Sequence, residues 1–250
     1  MSLKKDKFKL SEKKIMNFAI NLAENRKYLT GTNPSVGCVI VKKNKILSFA
    51  TTNNGGRPHA ESIALKKNRH NNKGATLYST LEPCSHHGKT PPCTNAIIKN
   101  KVVKVHYSIE DKDLRTFNKT KKILKSKNII AKSGLQKQQV HNLYKEYNYI
   151  RSNKSPYITG KIASSLNLNI LRNNTPITNE HSRSVSHLLR FQNHAILTSY
   201  KTINTDNPKL NCRLNGLEKF SPVVIVIDKY LKIKATSFVI KNSKKNKLII

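Results

Sequence analysis

The sequence predicts an α/β layer fold in two parts, and three observations carry that expectation. Amphipathic helical stretches alternate with short β-rich runs along the chain. Its 250 residues suit one large or two modest domains, with enough length to bury a core without disulfide staples. A polar stretch, RSNKSP at 151–156, reads as a linker, which predicts domains over 1–150 and 151–250.

The elements follow in order. Residues 11–29 read as a helix, because Ile15, Phe18, Ala19, Leu22 and Ala23 share one face and Ser11 can cap the start. TNPS breaks the chain. VGCVIV is a β-rich run, and KKNKI turns into a second strand, ILSFAT. NNGGRP is loop. HAESIALKKN reads as a helix opened by His59, just after Pro58. ATLYSTLE is a strand, CTNAIIKN a helix and KVVKVHYSIE another strand. TKKILKSKNIIAKSG and QQVHNLYKEYNYIR complete the first part. In the second, YITGKIASSL reads as a strand, NEHSRSVSHLLRFQ as a helix and HAILTSY as a strand. TDNPKL is a turn, and SPVVIVIDKYLKI and KNKLII are strands. The alternation is unfinished, which predicts a truncated second domain.

Composition excludes several classes. Four cysteines, Cys38, Cys84, Cys93 and Cys212, are too few for a secreted disulfide framework. The charged start, MSLKKDKFKLSEKK, has no apolar leader core, and no apolar run approaches the roughly 18 residues of a membrane span. A reducing cytosol is the expected compartment. The formal net charge is +34. A nucleic-acid protein concentrates such charge in a stripe, whereas these lysines are spread along the chain, as an AT-biased coding sequence would spread them.

The chemistry concentrates in RPHAES and in TLEPCSHHGKTPPC, from Thr80 to Cys93. His59, Cys84 and Cys93 supply one imidazole and two thiolates, a set zinc accepts, and three protein ligands leave one position for water. A fourth ligand would close the site. Cys38 is one candidate but lies in an apolar strand; His86 and His87 lie inside the loop. His59 and Cys93 fall at expected helix starts, and Pro58, Pro83 and Pro92 precede the three ligand candidates. A helix N-terminus favours the thiolate. Glu61 lies two residues after His59, near enough to exchange a proton with bound water without ligating. Taken alone, His-x-Glu reads as surface chemistry, and C-x8-C as buried thiols or a redox pair.

The general zinc nucleobase deaminase signature, H-x-E…P-C-x-x-C, has two residues between its cysteines; here there are eight. PHAE followed by TLEPCSHHGKTPPC resembles the deaminase half of the bacterial riboflavin-biosynthesis deaminase/reductase family, over about residues 11–150. The resemblance implies a cytidine-deaminase-like three-layer domain holding Zn2+. It implies hydrolytic deamination of 2,5-diamino-6-(5-phosphoribosylamino)pyrimidin-4(3H)-one, with zinc-activated water as nucleophile and Glu61 as proton shuttle. TNPSVGCVIV looks like the family's substrate turn and sets Asn33 against the pyrimidine. Lys89 is implied as a substrate contact, with the phosphate end as the target for a cation. Two positions depart from the pattern. Thr52 stands where the family has a histidine, and in EDKD Asp113 stands where it has the substrate-binding asparagine. An aspartate near a phosphate repels it unless paired or protonated.

GKIASSL, HAILTSYKTINTDNPKLNCR and PVVIVID resemble the start of the same family's reductase domain, which is dihydrofolate-reductase-like and uses NADPH. That places Arg190, Thr202, Asp206, Leu210 and Arg213 on cofactor or substrate positions. The family's SLDGK is SLNLN here, its Ser-x-Trp has become NNTPIT, and its glycine-rich end lies beyond Ile250. The expectation is a partial domain without reductase activity of its own, completed by a separate reductase subunit or kept as a remnant for solubility or assembly.

Four functions are compatible with these residues. The first is the zinc pyrimidine deaminase, with a small phosphoribosylaminopyrimidine as its partner, no membrane and self-association left open. A bifunctional enzyme predicts NADPH oxidation. A transfer-RNA-type deaminase predicts steeply salt-dependent RNA binding, and the Lys89 loop argues against it. A zinc-stabilised scaffold for a separate reductase predicts bound zinc without turnover.

Overall fold

The computed structural model describes residues 10–170, 177–244 and 247–250. The start at 1–9, most of NNTPIT and the beginning of KNKLII lie outside them. Backbone contacts divide the chain into Met1–Ile158 and Thr159–Ile250.

In the first unit, helix α1 spans Glu12–Glu24, and the Ser11 hydroxyl accepts from Lys14 N–H as expected of a cap. The helix stops short of residue 29. Arg26 and Lys27 N–H groups bond three residues back, to Ala23 and Glu24, and Tyr28 adopts φ 73°, so the chain tightens into turns. The buried stripe is Ile15, Met16, Ala19, Ile20 and Ala23, with Phe18 and Leu22 on its margin.

Strands β1 (Gly37–Lys42), β2 (Lys45–Thr51), β3 (Thr76–Leu81), β4 (Lys104–Ile109) and β5 (Ile130–Ser133) form one sheet in the order β2-β1-β3-β4-β5. β1 is antiparallel to both β2 and β3, and β3, β4 and β5 run parallel. Helices α2 (Ala60–Lys67), α3 (Cys93–Lys99), α4 (Thr120–Lys125), α5 (Lys137–Leu143) and α6 (Lys145–Asn153) complete the unit.

Strand alternation assigns the faces. A Cβ at Gly37 would collide with the Ala19 carbonyl of α1, so only glycine lets that helix approach β1. Cys38 points the other way, with Ser79 as its β3 partner, and Ser79 hydrogen-bonds Glu61 of α2. Helices therefore cover both faces, which is the three-layer arrangement. VGCVIV and ATLYSTL read as continuous apolar runs for this reason. Cys38, Val39, Ile40 and Leu77 are all fully buried.

In the second unit, α7 (Glu180–Gln192) starts at Asn179, whose side chain accepts from Ser182 N–H. Strands β6 (Ala195–Ser199), β7 (Val223–Ile227) and β8 (Leu248–Ile249) form a parallel sheet in that order, with α8 (Tyr200–Asp206) and α9 (Phe238–Lys241) alongside the chain's turns. Its core gathers Ile203, Leu210, Val224, Val226 and Val239. The expected strand YITGKIASSL does not form. Ile158 and Ile162 are 83% and 81% exposed, so the segment has neither a ladder partner nor a surface to cover.

Candidate metal centre

Three sequence-distant ends converge at the α2 face of the first sheet. His59 precedes α2, Cys84 follows the end of β3, and Cys93 opens α3. Their ligand atoms lie within 4.8 Å of one another. His59 Nδ1 is 3.4 Å from both Cys84 Sγ and Cys93 Sγ, and Cys93 N–H donates to Cys84 Sγ at 3.2 Å. The Cys84 thiol is pulled down to about 4, first by its hydrogen bond with Cys93 and then by His59, against burial. Cys93 moves the opposite way, raised by Cys84 and by burial. His59 is raised, chiefly by its bond to Cys84.

The donor set fits a zinc ion: one imidazole nitrogen and two sulfurs, already converged. Among the described residues, the cluster that could hold a metal comprises these three. Cys38 is fully buried in β1, and burial pushes its thiol well up. His86 bonds Thr116 instead, 3.0 Å from its hydroxyl, and His87 is exposed.

Glu61 lies in the first turn of α2 and is 3% exposed. Ser79 donates to its Oε1 at 3.1 Å, and its Oε2 is 3.5 Å from Cys93 Sγ. Burial raises its pKa, the shift expected of a carboxyl that holds and releases a proton.

The remaining predicted positions fall in two groups. Asn33 packs its side chain against Gly56, whose φ of 88° and missing Cβ make room for it. Thr30 Oγ1 donates to the Asn33 carbonyl at 2.7 Å. Lys89 is exposed on the loop between the two cysteines. In the second unit, Arg190 Nη1 is 3.2 Å from His187 Nδ1, and Arg213 N–H donates to the same nitrogen at 3.1 Å. Burial and the charge of Arg213 lower the Arg190 pKa. Leu210 belongs to that unit's core, while Thr202 and Asp206 are exposed on α8.

The two departures have structural partners. The Thr52 hydroxyl accepts from Val36 N–H at 2.9 Å, bracing the turn that carries Asn33. Asp113 is 8% exposed and paired: Arg115 donates from Nε at 2.9 Å and from Nη2 at 2.5 Å, and Arg151 lies at 3.8 Å. The Arg115 hydrogen bond holds the Asp113 pKa well below the usual carboxylate range. Its charge is thus spent within the protein.

Sequence reading passed over Arg57, Glu82 and Tyr144. Glu82 accepts from the backbone N–H groups of Asp111, Asn118 and Thr120, at 3.1–3.2 Å, and so folds the loop after β4. Thr120 Oγ1 bonds the Pro83 carbonyl, docking that loop beside Cys84. Tyr144 hydroxyl bonds the Ser35 carbonyl at 2.9 Å and lies 2.6 Å from Thr80 Oγ1, beneath the Asn33 turn. The apolar alternation around these residues carries no sign of such bonds.

Two family models match separate stretches of the chain. The family model for the cytidine and deoxycytidylate deaminase zinc-binding region matches residues 10–109, and that for the RibD C-terminal domain matches residues 156–250. The riboflavin biosynthesis protein RibD of Aquifex aeolicus is 34% identical over 242 residues, covering 96% of this chain and 68% of that protein. RibD of Bacillus amyloliquefaciens is 36% identical over 232 residues, 92% of this chain and 62% of that protein. Among solved structures, Acinetobacter baumannii RibD superposes with TM-score 0.87 at 31% identity, covering 94% of this chain and 68% of that one. The diaminohydroxyphosphoribosylaminopyrimidine deaminase/5-amino-6-(5-phosphoribosylamino)uracil reductase of Thermotoga maritima gives 0.83 at 30% identity, with the same coverage. The chain thus spans about two thirds of the length of these relatives. No helix among the described residues is long and apolar enough to cross a membrane.

Proposed function

The chain belongs to the RibD family, and from that premise we propose that its first unit hydrolytically deaminates 2,5-diamino-6-(5-phosphoribosylamino)pyrimidin-4(3H)-one. The observation that carries the reading is the convergence of His59, Cys84 and Cys93 beside a buried, hydrogen-bonded Glu61. His59, Cys84 and Cys93 would hold zinc and leave one position for water. Zinc, when bound, makes a water deprotonable near neutral pH and polarises the reacting carbon's environment.

The rest is done by side chains of this chain. Glu61 takes a proton from the attacking water and delivers it to the departing amino nitrogen. A carbon–oxygen bond forms, a carbon–nitrogen bond breaks, and ammonia leaves. Ser79 fixes one carboxylate oxygen, and the other, which faces Cys93, is the one to carry the proton. Burial keeps that proton from bulk water. Asn33, on a turn braced by Thr52 and Tyr144, orients the pyrimidine. Lys89 faces the phosphoribosyl end.

Ammonia release from that pyrimidine, with and without chelator, tests the reading. The zinc-loaded chain releases ammonia, the chelated chain does not, and Glu61→Gln keeps zinc while losing at least about a thousandfold in rate. Equal rates in wild type and Glu61→Gln sink the mechanism. A second reading, an additional NADPH-dependent reductase activity, is favoured by the Arg190–His187–Arg213 cluster and the match over 156–250. Oxidation of NADPH in the presence of the deaminated product tests it.

A further inference from the structure

Arg57 has no part in the chemistry above, and its surroundings ask for one. It stands two residues before His59 and is half-buried. Its Nη1 donates to Thr90 Oγ1 at 2.6 Å. Its Nη2 lies against Gly88: a Cβ built there would come within 3.1 Å of it. The same Cβ would be 3.8 Å from His86 Nε2. The guanidinium therefore rests on the loop that begins at Cys84 and ends at Cys93, next to Lys89.

The partner it has is neutral, and among the described residues no ion pair joins Arg57 to a carboxylate. Asp113, on the neighbouring loop, is already taken by Arg115 and Arg151. A guanidinium offers five N–H donors in a rigid fork, and Thr90 uses one. Gly88 puts no side chain over the rest. A half-buried cation with spare coplanar donors, beside the metal ligands and beside a second cation, matches the oxygens of a phosphate monoester.

We propose that Arg57 binds the phosphate of the substrate, with Lys89 as the second cation, and thereby sets a preference for the phosphorylated pyrimidine over its dephosphorylated counterpart. This rests on the deaminase reading. The guanidinium donates two hydrogen bonds to phosphate oxygens while the Thr90 contact fixes its plane.

The test compares both pyrimidines in the zinc-loaded full chain. Arg57→Gln is expected to lower kcat/KM for the phosphorylated compound roughly 10- to 100-fold, mainly through KM. Turnover of the dephosphorylated compound stays within about twofold, and Arg57→Lys recovers part of the loss. An equal fall on both compounds makes Arg57 a loop tether only and overturns the proposal, as does no fall on either. Binding is also read without turnover, by titrating ribose 5-phosphate calorimetrically into zinc-loaded wild type, Arg57→Gln and Lys125→Gln, the last at an exposed lysine of α4 outside both candidate sites. The expected result is a binding event lost in Arg57→Gln and kept in Lys125→Gln; identical isotherms for wild type and Arg57→Gln overturn the proposal. If the chain turns over neither pyrimidine yet loses that event in Arg57→Gln, the phosphate site stands and the deaminase reading fails.

Discussion

The two units use the same amino-acid vocabulary and bury it differently. In the first, helices cover both faces of a five-stranded sheet, and β1 runs from Gly37 against α1 to Cys38 on the α2 side, buried at every position from Gly37 to Val41. In the second, VVIVI has the same apolar look, yet only Val224 and Val226 are buried, while Ile227 of β7 and Leu197 of β6 are 59% and 63% exposed. An apolar run therefore signals a strand without saying how many of its faces are covered. What distinguishes the units is long-range closure. The first is held across its sheet by bonds such as Ser48 Oγ to the Ala64 carbonyl and Tyr144 hydroxyl to the Ser35 carbonyl.

Matched cavities test this contrast most strongly. Leu77 and Ile203 are each at most 1% exposed. Truncation to alanine costs about 2–5 kcal/mol at either site. Leu77→Ala is drawn from a large continuous core, so the first unit is expected to unfold cooperatively at a lower temperature. Ile203 belongs to a five-residue cluster, and its loss is expected to open β6 and β7 while ammonia release persists. Amide exchange over 195–199 and 223–227, measured beside activity, checks this. Loss of exchange protection in both units from Ile203→Ala would show that they do not unfold separately.

The same contrast explains which parts of the molecule were legible. Helix starts, strands and the three candidate ligands were readable because they sit at element ends marked by proline and by local periodicity. Arg57 with Thr90, Glu82 with Thr120, and Tyr144 with Ser35 pair across 33, 38 and 109 residues, and nothing local marks them. The failed strand at 157–166 is the converse case: β-branched residues supply propensity, but a strand needs a neighbour. Asp113 stood out as a misplaced charge, and only the fold could supply Arg115 and Arg151.

That charge offers the next test, because the units carry opposite electrostatic situations. Asp113 is neutralised, whereas Arg190 is lowered by burial and by Arg213. Asp113→Asn is expected to cost about 1–2 kcal/mol at neutral pH. The sign follows from linkage: a carboxyl held low when folded contributes its stability above its unfolded value, about 3.9, and loses it as pH falls through the lower folded value. The variant should accordingly show a flatter acid limb than wild type in denaturant titrations below about pH 4. Arg213→Gln should do the reverse and stabilise its unit by a few tenths of a kcal/mol, by relieving repulsion on Arg190. A loss of stability in Arg213→Gln would mean that its guanidinium bond to the Asn211 side chain outweighs that repulsion.

The smallest effect isolates closure from local chemistry. Ser11 and Asn179 make the same kind of cap, accepting from Lys14 N–H at 3.3 Å and Ser182 N–H at 2.9 Å. Each is worth about 1 kcal/mol to its helix. α1 is pinned by five buried side chains, so Ser11→Ala should lower the melting temperature slightly and leave the helix in place. α7 buries none of its residues, so its first turn is held mainly by the cap and by the Arg183 bond to the Thr178 carbonyl, with the half-buried His187–Arg190 turn beyond it. Asn179→Ala should therefore raise amide exchange over 180–184 with almost no shift in melting temperature. A matched pair of global shifts would instead mean that α7 is anchored as firmly as α1, and that the contrast between the units stops at their sheets.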